Sequence, residues 1–110
     1  MADIIEKIES AVKENKIMIF MKGNRSFPQC GFSATTVAIF DELGVPYATA
    51  DVLSDPELRD AIKRYSNWPT IPQVYVDGKF VGGCDIIREM HETGELEPLV
   101  KAAVGASALQ

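Results

Sequence analysis

Apolar and polar residues alternate along this chain in two different periods, and the switches between them mark the elements. Ile4, Ile5, Ile8 and Val12 recur at helical spacing from Asp3, which predicts a first amphipathic helix ending at Asn15 and Lys16. The unbroken apolar run Ile17 to Met21 predicts a strand buried on both faces, as in a partly parallel sheet. After the loop "KGNRSFPQ", a second helix is expected from about Gly31 to Leu43, with Gly44 as its stop. "YATADV" reads as a second strand. In "SDPE", Ser54 or Asp55 can cap a third helix, with Pro56 in its first turn and Glu57 completing a capping box.

That helix is expected to reach roughly Tyr65, after which the two prolines of "NWPTIP" interrupt regular structure. "QVYV" predicts a third strand, and Asp77-Gly78 is a strong hairpin signal that pairs it antiparallel with "KFVG". Gly82-Gly83 closes the hairpin. Asp85 can cap a helix running to about Thr93, and a last helix is expected near Pro98, before a frayed tail "GASALQ". The order α-β-α-β-α-β-β-α-α folds most economically as one mixed four-stranded sheet with helices on both faces, an α/β class.

Composition narrows the setting. A chain of 110 residues suits one domain, residues 1–110, with an ordered core of about 4–104. Acidic residues in "MADIIEKIESAVKEN" are unlike a secretory signal, and Ile17 to Met21 is far too short to span a membrane. A cytoplasmic, reducing location is the expectation, so the acceptor-like "NRS" at 24–26 is discounted. The net charge of −5, without a Lys/Arg cluster, argues against nucleic-acid binding. Cys30 and Cys84 stand 54 positions apart and are expected as separate thiols.

Cys30 falls at the end of a loop, directly before a helix. Helix N-terminal amides stabilise an anion there, Lys22 and Arg25 can add positive charge, and Gly31 leaves one side of the sulfur open. An inert buried cysteine is the commoner fate of a lone thiol. The position after Pro28 at a helix start favours a nucleophile or metal ligand instead. Three residues on, where a dithiol motif would have its second cysteine, stands Ser33. A disulfide formed at Cys30 must therefore be resolved by an outside thiol or by Cys84.

"KG" at 22–23, "CGFS" at 30–33, "WPTIPQVYVDG" at 68–78 and "GGCD" at 82–85 together resemble a monothiol glutaredoxin of the Cys-Gly-Phe-Ser (CGFS) type. The resemblance extends from Ile4 to Val104. It implies a thioredoxin-like fold, glutathione binding, and a [2Fe-2S] cluster shared between two subunits. Lys22, Arg59 and Lys63 are then candidates for the glycine carboxylate of glutathione, although for Lys63 a solvated cationic face explains the charge equally well. The bond before Pro72 is cis in the family, which would expose the Ile71 backbone to the cysteinyl part of glutathione. The amides of Cys84 and Asp85 can receive the γ-glutamyl carboxylate, and the Asp85 side chain its ammonium. Cys84 is either a backbone contact with an incidental thiol or a partner of Cys30 under oxidation. Phe32 either packs under the site or rims it. His91, without a ligand-spaced companion, is assigned no metal role, and Trp68, Tyr65 and Phe40 read as packing residues.

A [2Fe-2S] cluster takes four thiolates, and Cys30 is the one cysteine expected in the open loop. Two Cys30 thiolates and two glutathione thiolates complete the shell in a homodimer. The leading expectation is a glutathione-dependent cluster carrier serving apo iron–sulfur proteins, with a BolA-type partner implied by the resemblance alone. The alternatives are a glutathione-dependent reductase of protein–glutathione mixed disulfides, at most a weak enzyme, and an inert interaction domain.

Overall fold

In a computed structural model, residues 3–105 are described. The helix α1 (Ile4–Glu14) leads into β1 (Ile17–Met21), followed by α2 (Gly31–Leu43), β2 (Ala48–Asp51), α3 (Pro56–Ser66), β3 (Gln73–Val76), β4 (Lys79–Gly82), α4 (Cys84–Thr93) and α5 (Leu96–Val104). The strands form one four-stranded sheet in the order β2-β1-β3-β4. β1 runs parallel to β2 and antiparallel to β3, and β3 pairs antiparallel with β4. The fold is the thioredoxin-like arrangement that the sequence predicts.

Why β1 is apolar at every position follows from the period of a strand, which sends successive side chains to opposite faces. Ile17, Ile19 and Met21 join Val74 and Val76 under Val37, Phe40, Ile87, Leu96 and Val100, so α2, α4 and α5 cover one face. Met18 and Phe20 join Tyr75 under Ile8, Val12, Ala61 and Ile62, so α1 and α3 cover the other. Each such side chain removed from water contributes about 1.5–3 kcal/mol before the entropy of ordering is subtracted. No helix among the described residues is long and apolar enough to cross a membrane.

The tight turn at Asp77-Gly78 has positive φ at both residues, 52° and 80°, the conformation that matches strand twist in a two-residue hairpin. Several expected boundaries move. Asp55 caps α3 by accepting from the N–H groups of Glu57 and Leu58. Ser54 instead donates to the Asp51 carbonyl, so no capping box forms. The helix α3 extends to Ser66, and β2 is shorter than "YATADV". The last helix begins at Leu96, because a proline in the first turn forfeits an N–H that has no intrahelical acceptor there anyway. Asp85 does not cap α4, since Gly83 holds that position. The tail at 106–110 lies outside the described residues.

Candidate functional site

Two helix N-termini open onto one side of the molecule without side-chain caps. Cys30 is the N-cap of α2, in extended backbone at φ −149°, and its own side chain makes no capping bond. Gly83 is the N-cap of α4 and has no side chain to offer. By contrast α1 and α3 are capped by Asp3 and Asp55. The free amides at Cys30 and Gly83 are therefore available to anions.

At Cys30 that anion is its own sulfur. The Ser33 backbone N–H is the largest influence holding the thiol below the usual cysteine range. Burial opposes it, and the Phe32 N–H, the Lys22 ammonium and the Ser33 hydroxyl assist. Arg25 does not contribute as its position in the loop implies. It pairs with Asp41 at 2.7 Å and lies 4.5 Å over the Tyr47 ring, which draws it away from the sulfur.

Ser33 proves to be more than a missing thiol. It is fully buried, and its Oγ accepts the Lys22 backbone N–H at 3.1 Å, tying the end of β1 to the first turn of α2. The intervening loop is fixed from the other side, where Asp51 Oδ1 accepts from the N–H groups of Gly23 and Leu53 at 2.9 and 2.8 Å. Lys22 is thereby held beside Cys30 by its backbone.

A groove runs between the two helix starts as two adjoining depressions. One, of about 330 Å³, is lined by Lys22, Cys30, Phe32, Arg59, Lys63, Pro69, Thr70 and Ile71. The other, of about 230 Å³, carries Cys84 and Asp85 with Trp68, Pro72, Gly83 and Ile86, and shares Phe32, Thr70 and Ile71 with the first. All eight sequence-predicted site residues thus lie along one groove. Among the described residues Lys22, Arg59 and Lys63 form no ion pair, which leaves three uncompensated cations at the Cys30 end. At the other end Asp85 is exposed and pairs with Arg88 at 3.3 Å.

Phe32 is 59% exposed, so of its two anticipated roles it takes the rim. The Ile71–Pro72 bond is cis, as the resemblance implies. Both cysteines are free thiols, Cys30 half-exposed and Cys84 buried at the first position of α4. His91 faces Glu42 at 3.3 Å. Phe40 is core and Tyr65 packs 5.9 Å from Tyr75, as read from the sequence. Trp68 does double duty: its ring packs 5.8 Å from Phe80 while it lines the groove. Thr70, which the sequence shows only as part of the "WPTIP" motif and which is assigned no role there, lines both depressions.

Residues 17–81 match the glutaredoxin family model. The chain belongs to the glutaredoxin family. It is 53% identical over 100 residues to an uncharacterized monothiol glutaredoxin (ycf64-like) of Synechocystis, covering 91% of this chain and 94% of that one. Glutaredoxin 4 of Escherichia coli K12 is 46% identical over 101 residues, covering 92% and 88%. Among solved structures, the buckwheat glutaredoxin–glutathione complex is similar with a TM-score of 0.82 at 27% identity, covering 92% of this chain and 90% of that one. Reduced poplar apo GrxS14 is similar with a TM-score of 0.80 at 44% identity, covering 90% and 91%. Within this family the chain is of the monothiol kind, since a buried serine stands where a second thiol would.

Proposed function

We propose that this glutaredoxin is of the CGFS type, binds glutathione in the groove beside Cys30, and carries a [2Fe-2S] cluster to apo iron–sulfur proteins. The observation that carries the reading is a stabilised Cys30 thiolate whose neighbour three residues on is committed to the Lys22 amide. Ser33 cannot resolve a disulfide at Cys30, and with Cys84 buried the resolving thiol is an external one.

Glutathione suits the groove by its charges. Its glycine carboxylate matches Lys22, Arg59 and Lys63, which pair with no carboxylate among the described residues. The γ-glutamyl carboxylate matches the uncapped amides of Cys84 and Asp85 at the start of α4, and its ammonium the exposed Asp85 carboxylate. Between them the backbone of Ile71 is placed to pair with the cysteinyl unit, under the Phe32 rim. The bound glutathione in the buckwheat neighbour supports the assignment.

The donor chemistry fits the cluster as a shared cargo. One chain presents one half-exposed thiol, Cys30, because Cys84 is only 6% exposed. Two chains and two glutathiones would supply the four thiolates a [2Fe-2S] cluster takes. Since half of those ligands are exchangeable small molecules, the cargo is easily released.

The lowered thiol also favours a second reading, thiol–disulfide exchange. Cys30 thiolate would attack the glutathione sulfur of a mixed disulfide, expelling the protein thiolate and retaining glutathione as a Cys30 disulfide. A second glutathione thiolate would then attack that glutathione sulfur, releasing glutathione disulfide and restoring Cys30.

Both readings need the anionic ligand, and Arg59→Ala tests it. Glutathione affinity should fall by about 1.5 kcal/mol, the low end for a charged hydrogen bond because Arg59 is exposed. Isothermal titration with unchanged affinity would return Arg59 to an ordinary solvated cation and remove the glycine end of the assignment.

A further inference from the structure

The segment Trp68-Pro69-Thr70-Ile71 walls the groove, Thr70 and Ile71 lining both depressions and Trp68 and Pro69 one each, yet little in its own backbone holds it. Pro69 has no N–H to donate, and the segment lies between the end of α3 and the start of β3, outside the sheet ladder. Trp68, Pro69 and Thr70 are exposed, so the segment is held by whatever its carbonyl groups meet on their inner side.

Two of them meet one side chain. Gln73, the first residue of β3, is fully buried. Its Nε2 donates to the Trp68 carbonyl at 3.1 Å and to the Thr70 carbonyl at 3.3 Å, using both of its N–H groups. Its Oε1 accepts the Tyr75 O–H at 3.2 Å. Burial pushes Tyr75 up to about 12, so its hydroxyl keeps its proton and remains a donor. Two acceptors at one end and a donor at the other admit a single orientation of the amide. Trp68 is anchored at its N–H as well, to the Lys63 carbonyl at 3.2 Å and Ser66 Oγ at 3.1 Å, which ties the wall to the helix bearing Arg59 and Lys63.

We infer that Gln73 is a positioning residue for the groove: through its buried amide it fixes the Trp68–Ile71 wall, and thereby the strength with which glutathione is held. The second half rests on the proposed reading of the groove as a glutathione site; the first does not. A glutamine serves here where its neighbours in size fail. Methionine has the length but no donor, and glutamate would set carboxylate oxygens against two carbonyl oxygens.

The test uses Trp68, the sole tryptophan of the chain, as its reporter. In ligand-free Gln73→Met, Trp68 fluorescence anisotropy should fall and its emission shift to the red. Glutathione affinity, followed by Trp68 fluorescence, should weaken about tenfold, the scale of one lost positioning hydrogen bond. The pH profile of Cys30 alkylation should not move, because Cys30 is held by α2 and not by this wall. Unchanged anisotropy and affinity would overturn the inference, as would a Cys30 profile displaced together with them, which would mark general loosening of the fold. Should Gln73→Met fail to fold, Tyr75→Phe releases only the acceptor end of the amide. It should give the same anisotropy change with about threefold weaker binding, and no change in either would likewise refute the role. If the unaltered protein does not bind glutathione, the reading of the groove fails, while the ligand-free anisotropy still decides whether Gln73 holds the wall.

Discussion

Replacing Cys30 with serine is expected to abolish cluster loading and thiol exchange while leaving the protein as stable as before, or more so. The loss is complete because a hydroxyl is a poor iron ligand and, near neutral pH, a negligible nucleophile. The gain in stability comes from the same atom's place in the fold. Cys30 occupies the N-cap of α2 in extended backbone without a capping bond. Serine is among the preferred residues there, and its oxygen can accept the amide that otherwise faces sulfur, worth about 0.5–1 kcal/mol. Stability is thus given up at this position for reactivity, a common exchange at functional sites. Urea denaturation and the visible spectrum after reconstitution measure the two sides. A Cys30→Ser protein that still takes up iron and sulfide would move the site elsewhere, and one markedly less stable would contradict the capping argument.

Gly23→Ala should produce the largest loss of stability among single changes near the site, about 3 kcal/mol, together with a slower-reacting Cys30. Gly23 has φ +86°, a conformation that costs an L-residue roughly 1–2 kcal/mol. A Cβ there would also stand 2.5 Å from the Phe27 carbonyl oxygen and 2.7 Å from the Gln29 nitrogen, both backbone atoms of the same loop. Relief requires the loop to open, breaking the bridge from Gly23 to Pro28 and the bond to Asp51. Lys22 would then leave the sulfur it helps to stabilise. Stability within 0.5 kcal/mol of the parent protein, with unchanged alkylation rates, would show that the loop is softer than this geometry implies.

The parts of this protein that sequence made plain are those whose cause is local. The apolar run of β1 announces burial on both faces, Asp77-Gly78 announces a tight turn, and Gly44 ends α2 in the left-handed region as expected. Where two local signals compete, the reading slips by a residue or more. Asp85 is a good cap by type, but Gly83 already follows the strand and takes the position, which frees the α4 amides for a ligand. Pro98 reads as a helix start yet sits within the first turn. What stayed hidden depends on tertiary partners. Arg25 is near Cys30 in the chain, but Asp41 and Tyr47 claim it. Gln73 is an unremarked glutamine in a strand until its buried amide is seen to reach two carbonyls of the groove wall. Of the eight candidate site residues, Cys30 and Lys22 were legible from the loop and the helix start it leads into, whereas the other six needed the family resemblance to point to them.

The central claim is that Cys30 acts with an external thiol and, through the cluster, with a second copy of itself. Mass in solution, measured without oxygen before and after reconstitution with iron, sulfide and glutathione, tests it most directly. The account predicts a monomer for the metal-free protein and a coloured dimer only when cluster and glutathione are both present, because binding specific to one state raises that state's population. A cluster-loaded monomer, or a dimer that persists once the cluster is stripped, would contradict it.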